Sequence, residues 1–124
     1  MYVPKHRAYT SGSFEDTVIK KEYLDAPDYF NENPYCTYIG GDYPLVYHKN
    51  DLAGNELKVL LIKDSFSLPL QAFLSTAVRE LEVLDPRYYN ESTVTEYVVK
   101  SNPDIVLMAV NPSMFENECY CQLT

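Results

Sequence analysis

The stretch Val59–Ile62 is an unbroken apolar run, and it constrains the fold more than any other part of the chain. A short run of this kind predicts a strand that is buried on both faces, as in a parallel sheet with helices on either side. The run ends in Lys63-Asp64-Ser65, and a helical pattern begins a few residues later. Because the carboxyl end of such a strand opens into a crevice, Ser65 is the first candidate for chemistry.

A helix is predicted to follow this strand, with Ser67 as its N-cap and Pro69 in its first turn. Apolar residues recur there at helical spacing and predict one buried face, formed by Leu70, Phe73, Leu74, Ala77 and Leu81.

Residues 82–111 repeat the alternation of strand and helix. Glu82–Leu84 predicts a second short strand, and Asp104–Val110 predicts a third. Thr93 and Glu96 have the spacing of a capping box, which predicts the start of a second helix between these strands. The buried stripe of that helix is expected to consist of Val94, Tyr97 and Val98.

Strand, helix, strand, helix and strand over residues 57–111 predict an α/β domain with a three-layer arrangement. Right-handed crossovers favour a parallel sheet of order 2-1-3, with the first strand in the middle. The carboxyl ends of the strands would then bring together Ser65, Asp85 and Asn111, with Arg87 and Tyr88 nearby. We expect a ligand to bind at this edge, beside the first strand.

The segment before this core predicts a β-hairpin over residues 35–50. Thr37–Ile39 and Leu45–Tyr47 are strand-like, and Gly40–Asp42 supplies turn residues that tolerate positive φ. Residues 1–34 predict an irregular lead-in, and residues 112–124 a polar tail. At 124 residues the whole chain, 1–124, is expected to form a single domain.

A formal net charge of −8 argues against a nucleic-acid surface, which needs concentrated Lys and Arg, and against docking on anionic lipid. No apolar run approaches the roughly 18 residues that a membrane span needs. Three cysteines, Cys36, Cys119 and Cys121, do not form an even disulfide framework. We expect free thiols, no metal and no cofactor, although a metal site at Cys119 and Cys121 is the third-ranked alternative.

Ser65 needs a base, usually a histidine, before its hydroxyl becomes a nucleophile. The chain offers His6 and His48, and His48 would reach the crevice if the predicted hairpin packs across it. Neither histidine lies in an Asp-x-His pattern, so no orienting acid follows from the spacing. The alternative is that Ser65 is a helix-entry serine that hydrogen-bonds its own turn.

The remaining candidates each have a functional and a structural interpretation. Asp64 and Tyr88 are candidates for contact with the substrate or an oxyanion, although Asp64 is expected rather to bind backbone amides in the turn. Arg87 would clamp a carboxylate or a sugar hydroxyl, or would pair with Asp85 or Asp64. Asn111 would donate to an oxyanion, or would serve as a turn residue before a proline.

Four segments resemble, in order, the C-terminal portion of the DHHW-motif proteins, which are relatives of the SGNH/GDSL hydrolases and of AlgX/AlgJ-type alginate O-acetyltransferases. They are Tyr38–Leu45, Leu60–Phe66, Leu84–Tyr89 and Pro103–Leu107. The resemblance covers roughly residues 35–112. It implies a flavodoxin-like or SGNH-like fold and a serine nucleophile for acyl transfer or ester hydrolysis on carbohydrate.

The Asp-Ser context places Ser65 at the nucleophile position of that family. The family's Asp-x-His element has no counterpart here, and Lys63 stands where the family has glycine. The resemblance therefore implies the C-terminal part of a larger SGNH-like domain, and a cell-envelope location.

Two further expectations concern function and partners. A non-catalytic module that binds a saccharide or a protein through its tyrosine-rich edge is the alternative to an enzyme. Because a partial α/β domain exposes sheet edge and apolar surface, we expect either a homodimer or an N-terminal segment to cover it.

Overall fold

A computed structural model describes residues 7–8, 18–25 and 34–116. Within them, five strands form one sheet in the order β1-β2-β4-β3-β5. The strands are β1 Arg7–Ala8, β2 Leu45–Lys49, β3 Lys58–Lys63, β4 Glu80–Leu84 and β5 Ile105–Ala109. The helices are α1 Leu68–Ala77 and α2 Val94–Ser101, with 3-10 turns at Lys21–Tyr23, Pro34–Thr37, Ser65–Ser67 and Pro112–Glu116.

The three strands β4, β3 and β5 run parallel, with β3 in the middle. Leu61 of β3 lies opposite Val83 on one side and Leu107 on the other. The middle position of β3 is the one predicted for the first strand of residues 57–111. The carboxyl ends of the three strands consequently meet at one edge of the sheet.

The sheet as a whole is mixed, because strands from outside residues 57–111 join the three parallel strands. β2 runs antiparallel to β4, with Leu45 opposite Leu84, and β1 runs parallel to β2. The paired residues of β2 and β4 are 31 to 39 positions apart, and local sequence patterns carry no information about such contacts.

The hairpin predicted over residues 35–50 does not form. Tyr38 makes an isolated bridge with Ile19, and the Ile39 amide donates to the carbonyl of Val18. Ile39, Gly40 and Gly41 have φ values of 67°, 92° and 120°. Three consecutive residues with positive φ turn the backbone away from an extended path, so the segment before them cannot pair with β2.

Helix α1 covers one face of the sheet, but the side of the helix that is buried is not the predicted one. Its buried residues are Leu68, Gln71, Ala72 and Ser75, whereas Leu70 and Phe73 are exposed. Gln71 contacts the ring of His48, and Ser75 donates to the carbonyl of Ala72, so these polar side chains are buried with partners. Of the predicted face, Leu74 packs on the core and Leu81 belongs to β4.

Helix α2 covers the opposite face of the sheet. Leu60 and Ile62 of β3 point to this face, because side chains alternate along a strand. Val94 is buried there, and Tyr97 and Val98 pack against the same cluster, as predicted. The capping box of Thr93 and Glu96 is present. No helix within the described ranges is long and apolar enough to cross a membrane.

Candidate active site

Ser65 lies in the turn between β3 and α1, at the carboxyl edge of the sheet. The turn is a single 3-10 turn, Ser65–Ser67, that leads directly into α1. Asp64 caps it, because its Oδ1 accepts from the Phe66 amide at 3.0 Å. The Ser65 side chain is half-buried, so the cap holds its hydroxyl at the protein surface rather than in the core.

Two hydrogen bonds fasten this turn to the end of β5. The second carboxylate oxygen of Asp64 accepts from the Asn111 amide at 2.5 Å. Ser67 Oγ donates to the carbonyl oxygen of Ala109 at 2.8 Å. Asp64 therefore binds backbone amides, as expected, and it fixes the turn on which Ser65 is placed.

Arg87 is held by two carboxylates and points its remaining nitrogen toward Ser65. Its Nε and Nη2 donate to the two carboxylate oxygens of Asp85 at 2.9 and 2.5 Å. Nη2 also lies 3.2 Å from Asp42 Oδ2. Nη1 lies 3.5 Å from Ser65 Oγ, at the outer limit of a hydrogen bond. The hydrogen bond to Asp85 raises the pKa of Arg87 above its ordinary value, so the guanidinium stays charged.

Lys63 is the second cation of this cluster, and its side chain is 1% exposed. Its Nζ lies 2.5 Å from Asp42 Oδ1 and 3.7 Å from Asp85 Oδ2. Two cations and two carboxylates thus form a neutral network. Such pairing is what makes the burial of a lysine tolerable, since an unpaired buried charge is very costly.

Sequence reasoning missed Asp42 and Lys63 as members of the site. A lysine that is buried at the end of an apolar strand almost always has an acidic partner. The position of Lys63 therefore indicates that a carboxylate lies nearby. Asp85 at the neighbouring strand end is the partner that the sequence indicates, whereas the glycines before Asp42 predict a hairpin turn there. Its loop reaches the site because β2 pairs with β4, and because the Asp85 amide donates to the carbonyl of Pro44.

The predicted base, His48, is not brought to Ser65. It lies in β2 opposite Leu81, whereas Ser65 follows the other end of the sheet, beyond the pair of Ile62 and Leu84. Its ring is 1% exposed, and its Nε2 lies 3.0 Å from the side-chain amide of Gln71. His6 falls outside the described residues.

Asn111 and Tyr88 both lie at the predicted edge. Asn111 Oδ1 accepts from the Ser113 amide at 2.9 Å, which is the contact of a turn residue. The Tyr88 side chain is 54% exposed, and Arg87 Cζ lies 5.1 Å from the centre of its ring. An exposed ring beside a fixed guanidinium is a surface on which a planar or sugar group can stack.

The described residues contain no group of three His, Cys, Asp or Glu side chains that could hold a metal ion. Cys36 is a free thiol, and burial, with a further effect of Asp42, raises its pKa. The thiols of Cys119 and Cys121, which carried the metal alternative, fall outside the described residues.

Solved structures that resemble this fold include PatB1 and a DHHW family protein. PatB1 of Bacillus cereus, in a structure with a sulfonyl adduct, matches with a TM-score of 0.63 and 29% identity. That match covers 73% of this chain and 30% of PatB1. A second PatB1 structure matches with a TM-score of 0.62 and 30% identity over 69% of this chain and 28% of PatB1.

A DHHW family protein from Eubacterium siraeum DSM 15702 matches with a TM-score of 0.54 and 21% identity, over 73% of this chain and 27% of that one. At that identity the match shows a common fold alone. No family model and no curated protein sequence matches the chain. The chain is thus structurally similar to PatB1 and to a DHHW protein, and it spans less than a third of either.

Proposed function

We propose that this chain carries the nucleophile of a serine acyl-transfer site, acting as an esterase or as a carbohydrate O-acetyltransferase. The observation that carries the proposal is the placement of Ser65, half-buried at a strand-to-helix turn with Oγ 3.5 Å from Arg87 Nη1. The likeness to PatB1 supports it, because a sulfonyl adduct is the kind of group that forms on an activated nucleophile.

In the proposed step, Ser65 Oγ attacks the acyl carbon of an ester. A bond forms between Oγ and that carbon, the ester C–O bond breaks, and the alcohol leaves with a proton. Arg87 Nη1 donates to the carbonyl oxygen while negative charge develops on it, and a fixed donor of this kind lowers the barrier. Asp85 and Asp42 hold the guanidinium in place for that purpose.

The step also needs a base that takes the proton of Ser65. Arg87 cannot serve, because a guanidinium has no acceptor and does not lose its proton in proteins. His48 cannot serve either, because it lies in β2 with its ring against Gln71 of α1, away from Ser65. The base therefore has to be a group other than the side chains that the structure shows beside Ser65. The rate at which Ser65 is acylated reports whether the chain provides that group.

Acetylation of the protein by p-nitrophenyl acetate tests the proposal. We expect intact-mass spectra to gain one acetyl group and peptide mapping to place it on Ser65. Ser65→Ala should abolish this gain, and Ser113→Ala, which removes an exposed serine, should retain it. Equal acetylation of Ser65→Ala and wild type would contradict a nucleophilic role for Ser65, whereas no acetylation of the wild-type chain would show that the chain does not supply the base.

The exposed ring of Tyr88 favours a second candidate, a saccharide-binding surface without catalysis. In that case calorimetric titration with acetylated oligosaccharides would give the same affinity for wild type and Ser65→Ala. Tyr88→Ala would lose binding, since stacking on the ring would be removed. Transfer of an acetyl group from the oligosaccharide to Ser65, seen in intact-mass spectra, would favour the acyl-transfer site.

A further inference from the structure

Among the described residues, strand β5 is an edge of the sheet, and its side chains are partly exposed on both faces. Within the described residues it pairs with β3 on one side only. Its first four side chains are 38–49% exposed, and they are Ile105, Val106, Leu107 and Met108. Ile105 and Leu107 point to the face of α1, and Val106 and Met108 to the face of α2, because side chains alternate along a strand.

This composition is unusual for a strand that remains at the edge. Edge strands are normally protected by charged side chains, proline or bulges, because their free amides and carbonyls invite another strand. Residues 105–110 contain neither a charge nor a proline, in a chain whose formal net charge is −8. The acidic groups that keep two copies apart are thus absent from this strip.

We propose that β5 is the contact between two copies of this chain, paired antiparallel about a two-fold axis at Leu107. This inference does not depend on the acyl-transfer chemistry. The axis places Leu107 opposite itself, Ile105 opposite Ala109, and Val106 opposite Met108. Each pair lies on one face and sets a larger side chain against an equal or smaller one, so the strip is complementary to itself, as a two-fold interface requires.

The size of the contact sets its strength. A stable interface takes about 20 residues from each partner, and β5 supplies a fraction of that number. We therefore expect a weak, reversible dimer that exchanges with the monomer. Electrostatic repulsion between the two acidic copies opposes pairing. Because salt screens this repulsion, added salt should strengthen the dimer, whereas it would weaken a dimer held together by ion pairs.

Analytical ultracentrifugation at about 1–100 µM protein tests the pairing, in the range where weak dimers dissociate. We expect a concentration-dependent dimer for wild type and monomer for Leu107→Lys, with unchanged circular dichroism. Val99→Lys is the matched control, since Val99 is 76% exposed on α2 and its substitution should leave the dimer intact. Hydrogen exchange at high and low protein concentration should slow specifically in residues 105–109.

Three results would overturn the proposal. A wild-type monomer throughout this range would leave the edge of β5 to a different polypeptide. A dimer that persists in Leu107→Lys, or exchange protection elsewhere in the chain, would place the contact on another surface. Species larger than a dimer would exclude closed two-fold pairing.

Discussion

The ammonium group of Lys63 lies 2.5 Å from Asp42 Oδ1, although the two residues are 21 positions apart. Lys63 ends β3, and Asp42 lies in the loop before β2. Their pairing fixes that loop over the carboxyl edge of the sheet, where Asp42 also reaches Arg87. The geometry around Ser65 thus depends on a buried ion pair that does not include Ser65.

Replacement of Lys63 by methionine is expected to destabilise the protein. Methionine fills a similar volume but leaves Asp42 and the fully buried Asp85 with one cation, Arg87, instead of two. Removal of one partner from a buried ion pair costs about 3–5 kcal/mol. Urea unfolding followed by circular dichroism measures the loss.

Lys100→Met is the matched control, because Lys100 is exposed on α2 and its loss should change stability by less than about 0.5 kcal/mol. In Lys63→Met/Asp42→Asn the uncompensated carboxylate is removed, so part of the stability should return. Equal stability of Lys63→Met and wild type would contradict a buried, charged Lys63.

Replacement of Arg87 by lysine tests the role of the fixed guanidinium in the proposed chemistry. Lysine keeps the charge but cannot reproduce the two hydrogen bonds to Asp85 and the reach toward Ser65. Since a hydrogen bond to a charged group is worth about 1.5–3 kcal/mol, acetylation of Ser65 should slow roughly tenfold to a hundredfold.

The control is Arg79→Lys, which alters an arginine paired with Asp51 and Glu56 away from the site. Time-resolved mass spectrometry with p-nitrophenyl acetate gives both rates. If Arg87→Lys and Arg79→Lys react alike, the guanidinium has no part in the step.

The alternating strands and helices of residues 57–111 were predictable because their signals are local. Val59–Ile62 and Ile105–Ala109 are short apolar runs, and Thr93 with Glu96 is a capping box that needs no tertiary contact. The placement of Ser65, Asp85 and Asn111 at one edge followed from parallel pairing alone. The part of the site that lies at strand ends was therefore accessible from the sequence.

The rest depended on contacts between distant segments. Positive φ at Ile39, and the pairing of β2 with β4, decide where Asp42 goes, and neither has a periodic pattern. The side of α1 that the apolar spacing predicts to be buried is wrong, because Gln71 is buried against His48, a partner 23 positions away. Apolar spacing alone favoured Leu70 and Phe73, which are exposed.

Stability should fall at high pH because of Tyr47. Burial, with a hydrogen bond to Glu80 and nearby carboxylates, raises the pKa of Tyr47 from 10.0 to about 12. The folded chain holds this proton more tightly than the unfolded chain does. The resulting stabilisation is complete below pH 10 and is lost as the pH rises through 12.

Urea unfolding at several pH values between these limits measures the effect. Tyr47→Phe should lose less stability than wild type over that interval, because phenylalanine has no proton to release. Tyr35→Phe, at an exposed tyrosine, should follow the wild-type curve. Burial also raises the pKa of Tyr97, so part of the decline should remain in Tyr47→Phe. Parallel curves for Tyr47→Phe and wild type would refute the assignment to Tyr47.

The capping box of α2 should contribute measurably to stability. Thr93 Oγ1 accepts from the Glu96 amide at 3.2 Å, and Glu96 Oε2 accepts from the Thr93 amide at 2.9 Å. Thr93→Ala removes the first of these bonds and leaves an amide of the first turn without its cap, which costs about 1 kcal/mol. Thr95→Ala makes the same chemical change inside the helix, where no cap is removed and alanine is the better helix former, so it should cost less stability than Thr93→Ala. Denaturant unfolding of both variants measures the difference, and a loss in Thr95→Ala as large as that in Thr93→Ala would show that the cap is not its cause.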